Sequence, residues 1–336
     1  MRIVALGELL LRLKSPGALR LMQGPVLEAD FGGSEFNVLA LLSRLGLVTD
    51  YVTTLPENEL GGAALRQVVA HGVGAGHIRR APGRLGLYFL ESGSGLRRPK
   101  VLYDRADSAL ARTPADSFNW PEILRGAGCL HLSGITPAVS AQAATMACHA
   151  ARAARTAGVR VSMDINMRAT LWAQSGRDAS AALAPLIAEA AVLFATPADA
   201  PVCLPPSARA EADSTPGLAA ALFAHYPKLE VLVSGSKRGT SAADFNLLAT
   251  AQHRGSAAVS AREIEIRSAA ENIGAGDALV GGCLYGLLQG WPTPRWLQFG
   301  LAAQALKHTI PGDIALVSRE EIEAVLEGAS PLRVQR

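Results

Sequence analysis

The sequence predicts an α/β protein with a mostly parallel central sheet, helices on both faces and a small, separate β-sheet lid. Short apolar segments typical of buried strands alternate with longer segments of helical periodicity, which is the pattern of parallel α/β folds. One predicted hairpin breaks this alternation and therefore belongs outside the central sheet. Apolar residues make up 49% of the 336 residues, enough for a substantial core, and we expect one domain over residues 1–336.

The alternation can be followed from the N-terminus onward. The first half predicts strands at Ile3–Leu11 and Val48–Thr54, a helix with Ser34 as its cap that ends at Gly46, and a helix from about Glu59 to His71. The second half predicts strands at Leu130–Ser133, Val159–Asn166, Val192–Ala195 and Leu229–Ser234, short strands within residues 241–267, and helices at Ser140–Thr156, Asp178–Ala191, Ser214–Tyr226, Leu279–Leu288, Trp296–Lys307 and Arg319–Leu326.

The lid is predicted from about residues 12–30 and 84–105. Leu85–Glu91 and Pro99–Asp104 read as two strands around a Gly/Ser turn at residues 92–95. Tyr103 and Arg105 are two residues apart, so in a strand they project from the same face. Free edges of such a sheet are usually covered, and we therefore expect a homodimer that pairs through the lid.

Two further segments follow predicted strands and carry polar residues. Asp164, Asn166 and Arg168 share one side at the end of their strand, where ligands bind in open parallel sheets. Residues 235–239, Gly-Ser-Lys-Arg-Gly, are predicted to form a loop similar to a phosphate cradle. This loop does not match the Walker pattern, because the chain has no Gly-Lys pair.

The segment Asn272–Ala278 carries the strongest indication of chemistry. Gly274, Ala275 and Gly276 precede a buried helix and leave its first N–H groups uncovered, which makes an anion site. Asp277 follows in the first turn, where we expect the helix dipole to keep it ionised at neutral pH. A carboxylate beside an anion site suits a general base for phosphoryl transfer. The alternative is an ordinary glycine-rich turn with an acidic residue at the helix start.

Composition excludes several other classes of protein. The net charge is +3 and the basic residues are scattered, whereas a nucleic-acid surface needs a basic patch. No uninterrupted apolar stretch approaches the about 18 residues of a membrane span, and four widely spaced cysteines form no zinc or redox motif. No glycine fingerprint opens the first β-α unit, which argues against a nicotinamide dehydrogenase. We therefore expect a cytoplasmic protein that binds neither membrane nor nucleic acid.

The motifs together resemble those of the ribokinase-like (PfkB) carbohydrate kinases. Residues 271–277 are similar to the family signature D-T-x-G-A-G-D, and Gly32–Asn37 is similar to its G-G-x-x-x-N motif. The segments that look like the 2-keto-3-deoxygluconate (KDG) kinase subgroup are Arg84–Leu90, Tyr103–Ala106, Asp164–Arg168 with Leu171-Trp172, and Pro311–Asp313. The resemblance covers nearly the whole chain and implies a ribokinase-like fold.

The resemblance implies a role for each matching residue. Asp277 would be the general base, and Gly274, Ala275 and Gly276 would hold the transferred phosphoryl group of ATP, with Mg²⁺ bridging phosphate oxygens. The implied contacts to a sugar acid are Gly33, Asn37, Tyr88, Tyr103, Arg105, Arg168 and Asp313, and the implied nucleotide contacts are Asn166, Ser236, Lys237 and Gly239. Arg105 and Arg168 could both face the sugar site, where guanidinium groups match a carboxylate.

Some positions depart from the family pattern. Glu271 and Asn272 stand in place of Asp-Thr, Ser236 replaces a frequent glycine, and residues 196–199 replace the N-x-x-E motif, which leaves Asp199 as the candidate residue for Mg²⁺. The main prediction is ATP-dependent phosphorylation of KDG to its 6-phosphate. The alternatives are a kinase of fructose, ribose or a related keto-acid, and a sugar-binding homologue with weakened catalysis.

Overall fold

The computed structural model describes residues 1–93, 96–239 and 241–328. Residues 94 and 95 of the predicted hairpin turn lie outside these ranges. In chain order the strands are β1 (Arg2–Leu6), β2 (Leu10–Lys14), β3 (Glu28–Gly32), β4 (Val48–Pro56), β5 (Ile78–Ala81), β6 (Leu87–Glu91), β7 (Lys100–Asp104), β8 (Ala127–Ser133), β9 (Arg160–Asp164), β10 (Val192–Phe194), β11 (Val231–Gly239), β12 (Phe245–His253), β13 (Val259–Ser260) and β14 (Ile264–Ile266).

The α-helices of the described residues alternate with these strands. They are α1 (Ser34–Arg44), α2 (Glu59–Ala70), α3 (Ala109–Arg112), α4 (Trp120–Ile123), α5 (Thr136–Val139), α6 (Ala141–Thr156), α7 (Ala169–Ser175), α8 (Ala179–Ile187), α9 (Ala200–Cys203), α10 (Thr215–His225), α11 (Ala275–Leu288), α12 (Thr293–Lys307) and α13 (Arg319–Leu326). No helix in this part of the chain has the length and apolar character needed to cross a membrane.

The strands form two sheets, as predicted. The central sheet has the spatial order β13-β12-β11-β10-β9-β8-β1-β4-β5, with β14 paired to β12. Its strands from β11 to β5 run parallel, whereas β12 pairs antiparallel with its three neighbours. The small sheet has the order β3-β2-β6-β7, and β6 and β7 form the predicted hairpin. The prediction of an α/β fold with a separate small sheet is confirmed.

Helices cover both faces of the central sheet because its strands are apolar on both sides. In β1, Ile3 and Ala5 join one core cluster, and the alternate residues Val4 and Leu6 join the other. The first cluster contains residues of α1, α2, α11, α12 and α13, and the second contains residues of α3 to α10. Helices α11 and α12 approach closely, since a Cβ at Gly282 would lie 2.7 Å from the Cα of Gly300.

Three local predictions were wrong. The predicted strand Ile3–Leu11 is two strands in different sheets, and the chain leaves the central sheet at Gly7 before β2 begins. Ser34 does not cap α1, because Gly33 occupies the N-cap position and no side-chain cap is made. Residues 235–239 are not a loop; they extend β11, where pairing with β12 satisfies their backbone groups. The edge strand β5 was not predicted.

Candidate active site

A cavity of about 410 Å³ lies beyond the C-terminal ends of β9 and β10 and beside the middle of β11. This strand-end cavity is lined on one side by Asp164, Asn166 and Asp199, and on the other by residues 272–277 at the start of α11. Its position matches the rule that ligands of parallel α/β sheets bind outside the carboxyl ends of the strands. Of the predicted nucleotide contacts, Asn166, Ser236 and Lys237 line it, and Gly239 does not.

A second cavity, of about 460 Å³, lies between the small sheet and the start of α1. This small-sheet cavity brings together all the predicted sugar contacts, which are Gly33, Asn37, Tyr88, Tyr103, Arg105, Arg168 and Asp313. Tyr88 and Tyr103 face each other across β6 and β7, with ring centroids 6.4 Å apart. The lining therefore combines aromatic surface with a few polar groups, as small-molecule sites usually do.

The two cavities meet at the start of α11. The residues that line both are Met167, Arg168, Ile273, Gly274 and Asp277. Asp277 is therefore accessible from either side, although only 6% of its surface is exposed. A group at this junction could act on two molecules held in neighbouring cavities.

Two side chains of α1 hold the carboxylate of Asp277. The hydroxyl of Ser34 donates to Oδ1 at 2.8 Å, and the side-chain amide of Asn37 donates to Oδ2 at 2.7 Å. Burial raises the pKa of Asp277, and these two hydrogen bonds, with the charges of Arg168 and Lys307, oppose the rise. Burial therefore acts against the helix dipole, and the ionisation of Asp277 at neutral pH stays a prediction.

Gly274 and Gly276, the two glycines before Asp277, differ in their structural surroundings. Gly274 is the N-cap of α11 with φ 75°, and a Cβ there would lie 1.7 Å from the carbonyl oxygen of Asp313. At Gly276 a Cβ would meet no protein atom within 4 Å, because this residue borders the strand-end cavity. Among the described residues, no side chain caps the helix start. The N–H groups of this turn are consequently available to an anion in that cavity.

Glu271 supports the turn that leads into α11. Its Oε1 accepts from the N–H of Asn272 at 3.0 Å, and its Oε2 accepts from Lys14 at 3.3 Å. Arg12 lies 3.8 Å from the same carboxylate. Glu271 thus fixes the backbone before the anion site and connects it to the small sheet, a contact that sequence reasoning did not find.

Asp313 lies at the other side of the small-sheet cavity. Nη1 of Arg12 donates to its Oδ1 at 2.6 Å, and the hydroxyl of Tyr88 donates to its Oδ2. Burial raises the pKa of Asp313 to about 6, and the charge of Arg12 opposes the rise. Tyr88 and Asp313, two of the predicted sugar contacts, are therefore hydrogen-bonded to each other.

The two arginines predicted to face a substrate carboxylate differ in their surroundings. Nε of Arg105 donates to Glu8 at 2.7 Å, and both side chains are buried. Both arginines line the small-sheet cavity, as expected, but the charge of Arg105 is already paired with Glu8. Arg168 is exposed and lines both cavities, and it makes no ion pair with any other residue in the described ranges. Arg168 is accordingly the guanidinium available to an anionic ligand.

The comparisons with known proteins agree with this geometry. The pfkB family carbohydrate kinase profile matches residues 2–319. The chain belongs to the pfkB family of carbohydrate kinases. It is 33% identical over 328 residues to a 2-dehydro-3-deoxygalactonokinase of Haloferax volcanii, covering 97% of this chain and 96% of that protein. It is 28% identical over 302 residues to a 2-dehydro-3-deoxygluconokinase of Bacillus subtilis, covering 88% and 86%.

A solved structure extends the similarity to three dimensions. The kinase superposes on a 2-dehydro-3-deoxygluconokinase from Thermotoga maritima with a TM-score of 0.90 and 34% identity, covering 98% of this chain and 100% of that one. The predicted family and ribokinase-like fold are therefore confirmed, and the chain is a sugar kinase.

The strand-end cavity of the kinase fits a nucleotide with its metal ion. Asp164, Asp199 and Asp277 all line it, and burial, followed by the charge of Asp277, raises the pKa of Asp164 to about 8. A cation would relieve this crowding of carboxylates. Oδ2 of Asp199 accepts from both the N–H and the hydroxyl of Thr196 at 2.8 Å. Across the residues described, no three His, Cys, Asp or Glu side chains form a metal cage, and Mg²⁺ commonly relies on phosphates and waters instead.

Lys237 lines this cavity and adds the positive charge that a phosphate would need. Its Nζ donates to Oδ1 of Asn272 at 2.9 Å. Ser236 and Lys237 belong to β11, so the kinase presents them from a strand.

Proposed function

We propose that this kinase transfers the γ-phosphoryl group of ATP to 2-keto-3-deoxygluconate, which is the same compound as 2-dehydro-3-deoxygluconate, and forms its 6-phosphate. One observation carries the proposal: Asp277 borders both cavities and is held by two hydrogen-bond donors. A base at the junction of two cavities can reach an acceptor hydroxyl on one side while the phosphoryl donor lies on the other.

The strand-end cavity would take ATP. The uncapped start of α11 at Gly274, Ala275 and Gly276 would bind the transferred phosphoryl group through backbone N–H groups. Asn166, Ser236 and Lys237 line the same cavity and would contact the nucleotide. Asp199 would hold Mg²⁺, which when bound neutralises charge on the phosphate oxygens.

The small-sheet cavity would take the sugar acid. Arg168 makes no ion pair among the described residues and would bind the substrate carboxylate, since this pairing is bidentate and charge-assisted. Gly33, Asn37 and the ring of Tyr103 would contact the rest of the sugar. The names of the relatives from Bacillus subtilis and Thermotoga maritima support a 2-dehydro-3-deoxy sugar acid as substrate.

The proposed chemical step transfers the γ-phosphoryl group to the terminal hydroxyl of the sugar acid. The carboxylate of Asp277 takes the proton of the terminal hydroxyl as that oxygen forms a bond to the γ-phosphorus. The bond from this phosphorus to the bridging oxygen breaks, and ADP leaves with the electron pair. The transition state is stabilised chiefly by positioning and by fixed positive dipoles, which is the general pattern of phosphoryl transfer.

We further propose that the small sheet is a lid over the sugar in a single-domain kinase, and that two copies pair through it. A closed lid keeps water from competing as the phosphoryl acceptor. In the described ranges β3 and β7 are the outer strands of this sheet, and Leu102, Met22 and Val26 expose large apolar side chains in its segments. Pairing of two lids would cover both features. Light scattering should give a dimer, and Leu102→Glu should give a monomer.

The deciding experiment is a coupled ATP assay with KDG, fructose, ribose and gluconate side by side. We expect Mg²⁺-dependent turnover of KDG and little turnover of the neutral sugars. Asp277→Asn should lower kcat about 10²- to 10⁴-fold because the base is lost.

Preference for fructose or ribose would refute the sugar-acid proposal. Parental turnover by Asp277→Asn would show that Asp277 is not the base. Sugar-acid binding without ATP binding in calorimetry would favour a weakened binding homologue. Because the reaction consumes ATP, we also propose a cytoplasmic location.

A second candidate substrate is 2-keto-3-deoxygalactonate, the epimer at the hydroxyl next to the methylene group. The Haloferax volcanii relative, at 33% identity, is named for that compound. Including it in the same assay distinguishes the two, because the ratio of kcat/KM values gives the preference directly.

A further inference from the structure

The hydroxyl of Ser34 connects two polar side chains from distant parts of the chain. It donates to Oδ1 of Asp277 at 2.8 Å and accepts from Nδ2 of Asn166 at 2.8 Å. We propose that Ser34 is a positioning residue that holds Asp277 as an oriented carboxylate, and that Asn166 fixes the direction in which the Ser34 hydroxyl points. This inference rests on the proposed function, in which Asp277 is the base.

The proton positions in this chain of three groups follow from their chemistry. A carboxylate can only accept and an amide NH₂ group can only donate, whereas a hydroxyl has one proton to give. Because Ser34 accepts from Asn166, its single proton goes to Asp277. If the amide of Asn166 presented its oxygen instead, that oxygen would compete with Oδ1 of Asp277 for the single proton of Ser34. The orientation of Asn166 therefore decides whether Asp277 is the sole acceptor of this hydrogen bond.

Local structure does not require the Ser34 hydroxyl. Ser34 is the first residue of α1, and Gly33 is the N-cap without a side-chain cap. A serine needed by its own helix would instead bond to a backbone N–H one turn ahead. Ser34 and Asp277 are 8% and 6% exposed, so the hydrogen bond between them is buried. The partner of this hydroxyl is thus the candidate base, 243 residues away in the chain.

Asn166 is held in an unusual conformation directly after β9. Its φ is 40°, in the left-handed region that asparagine tolerates better than most residues. Its backbone N–H donates to Oδ1 of Asp164 at 3.1 Å. Backbone strain of this kind is often found at functional sites, where the surrounding contacts maintain it. Asn166 lines the strand-end cavity and so connects that cavity to Asp277 through Ser34.

The test measures the titration of Asp277 by NMR of protein carrying ¹³C-labelled aspartate carboxyl groups, with Asp277→Asn to assign the signal. The hydrogen bond from Ser34 lowers the pKa of Asp277, so Ser34→Ala should move the titration midpoint up by about one pH unit. Ser34→Thr keeps a hydroxyl and should restore the parental midpoint. Ser43→Ala is the matched control, since Ser43 is in the same helix and its hydroxyl donates to the carbonyl of Gly72.

Asn166→Gly removes the amide that donates to Ser34. The backbone conformation at residue 166 can be kept in this variant, because glycine adopts positive φ freely. It should move the midpoint in the same direction as Ser34→Ala, by a smaller amount. In the coupled assay, the acid limb of the kcat profile should move with the NMR midpoint, and KM for the sugar should change little. A merely structural role for Ser34 would lower stability without moving either midpoint.

The outcomes separate this inference from the proposed function. The NMR titration needs no substrate. If the parent phosphorylates a sugar acid but Ser34→Ala and Asn166→Gly leave the Asp277 midpoint unchanged, the inference is overturned and the reaction stands. If the midpoint moves as expected but the parent phosphorylates none of the sugars, the positioning role is supported and the proposed reaction is refuted.

Discussion

The guanidinium of Arg12 donates to the carboxylate of Asp313 at 2.6 Å, which ties the small sheet to the segment that follows α12. The side chains are 6% and 4% exposed, so this ion pair is buried. The carbonyl of Asp313 also lies against Gly274, where a Cβ would approach it to 1.7 Å. Asp313 therefore contacts both the small sheet, through Arg12, and the anion site, through Gly274.

Removing Arg12 should be costly. Arg12→Met leaves Asp313 as a buried charge without its nearest cation, and we expect a loss of about 3–5 kcal/mol in the free energy of unfolding. The loss should be smaller at pH 5 than at pH 8, because Asp313, with a pKa of about 6, can then take up a proton. Denaturant titration at both pH values measures it. Arg84→Met is the control, since its pair with Asp104 is 40% and 49% exposed and contributes about 0–1 kcal/mol. Equal losses for both variants would contradict this account.

The two glycines of the anion site should respond differently to alanine. Gly274 has a positive φ, and Gly274→Ala forces a Cβ onto the carbonyl of Asp313. This variant should lower the free energy of unfolding by at least about 1–3 kcal/mol. Gly276→Ala adds a methyl group that meets no protein atom, and because Gly276 is helical the change should raise stability by about 0.4–1 kcal/mol. Its methyl group borders the space proposed for the phosphoryl group, so kcat should nevertheless fall. Thermal unfolding and the coupled assay measure both, and full turnover by Gly276→Ala would contradict the proposed phosphoryl site.

The stability of the free protein should depend on Asp164. Its pKa is about 8 in the folded state, raised first by burial and then by Asp277, whereas the unfolded carboxyl ionises near pH 3.9. Between these values the folded state binds a proton that the unfolded state has lost, so stability falls as pH rises through this window. Asp164→Asn removes that slope and should gain stability relative to the parent from about pH 4 to pH 8.

Unfolding in denaturant at pH 5, 6.5 and 8 tests the Asp164 prediction. Asp116→Asn controls for the loss of one negative charge at an exposed position. A stability difference between Asp164→Asn and the parent that stays constant with pH would show that Asp164 is not protonated in the folded protein.

The sequence predicted those features that depend on local patterns. Alternation of apolar segments gave the parallel sheet, and the interrupting hairpin gave the small sheet. The glycine-rich turn before Asp277 was predicted because small residues at a helix start have a local physical reason. The failures at residues 235–239 and at Ser34 have a common cause. Composition typical of a loop and of a helix cap was interpreted locally, whereas pairing with β12 and contact with Asp277 decide the structure.

Contacts between distant residues leave little signal in the sequence. Arg12 and Asp313 are 301 residues apart, and Glu8 and Arg105 are 97 residues apart. No periodicity relates such positions, so the sequence does not predict that Arg105 pairs with Glu8. A polar residue inside an apolar N-terminal segment, such as Glu8, was the available indication that a buried partner exists, because isolated buried charges are unfavourable.

Replacing Arg105 should affect mainly stability, whereas replacing Arg168 should affect mainly catalysis. Arg105→Met leaves Glu8 buried without its cation, and we expect a stability loss of about 3–5 kcal/mol. Arg168 is exposed and makes no ion pair within the described part of the chain, so Arg168→Met should leave the free energy of unfolding nearly unchanged. Its effect should be on catalysis instead, because a charged hydrogen-bond pair to the substrate carboxylate is lost.

We expect KM for KDG to rise about 10- to 100-fold in Arg168→Met, which corresponds to losing about 1.5–3 kcal/mol of binding. Arg168→Lys should recover part of this, because an ammonium keeps the charge but not the bidentate geometry. KM for fructose should not rise in the same way, since fructose has no carboxylate. If instead Arg168→Met bound KDG normally while a refolded, stable Arg105 variant lost it, the carboxylate would bind at Arg105 and would have to displace Glu8 from its buried pair.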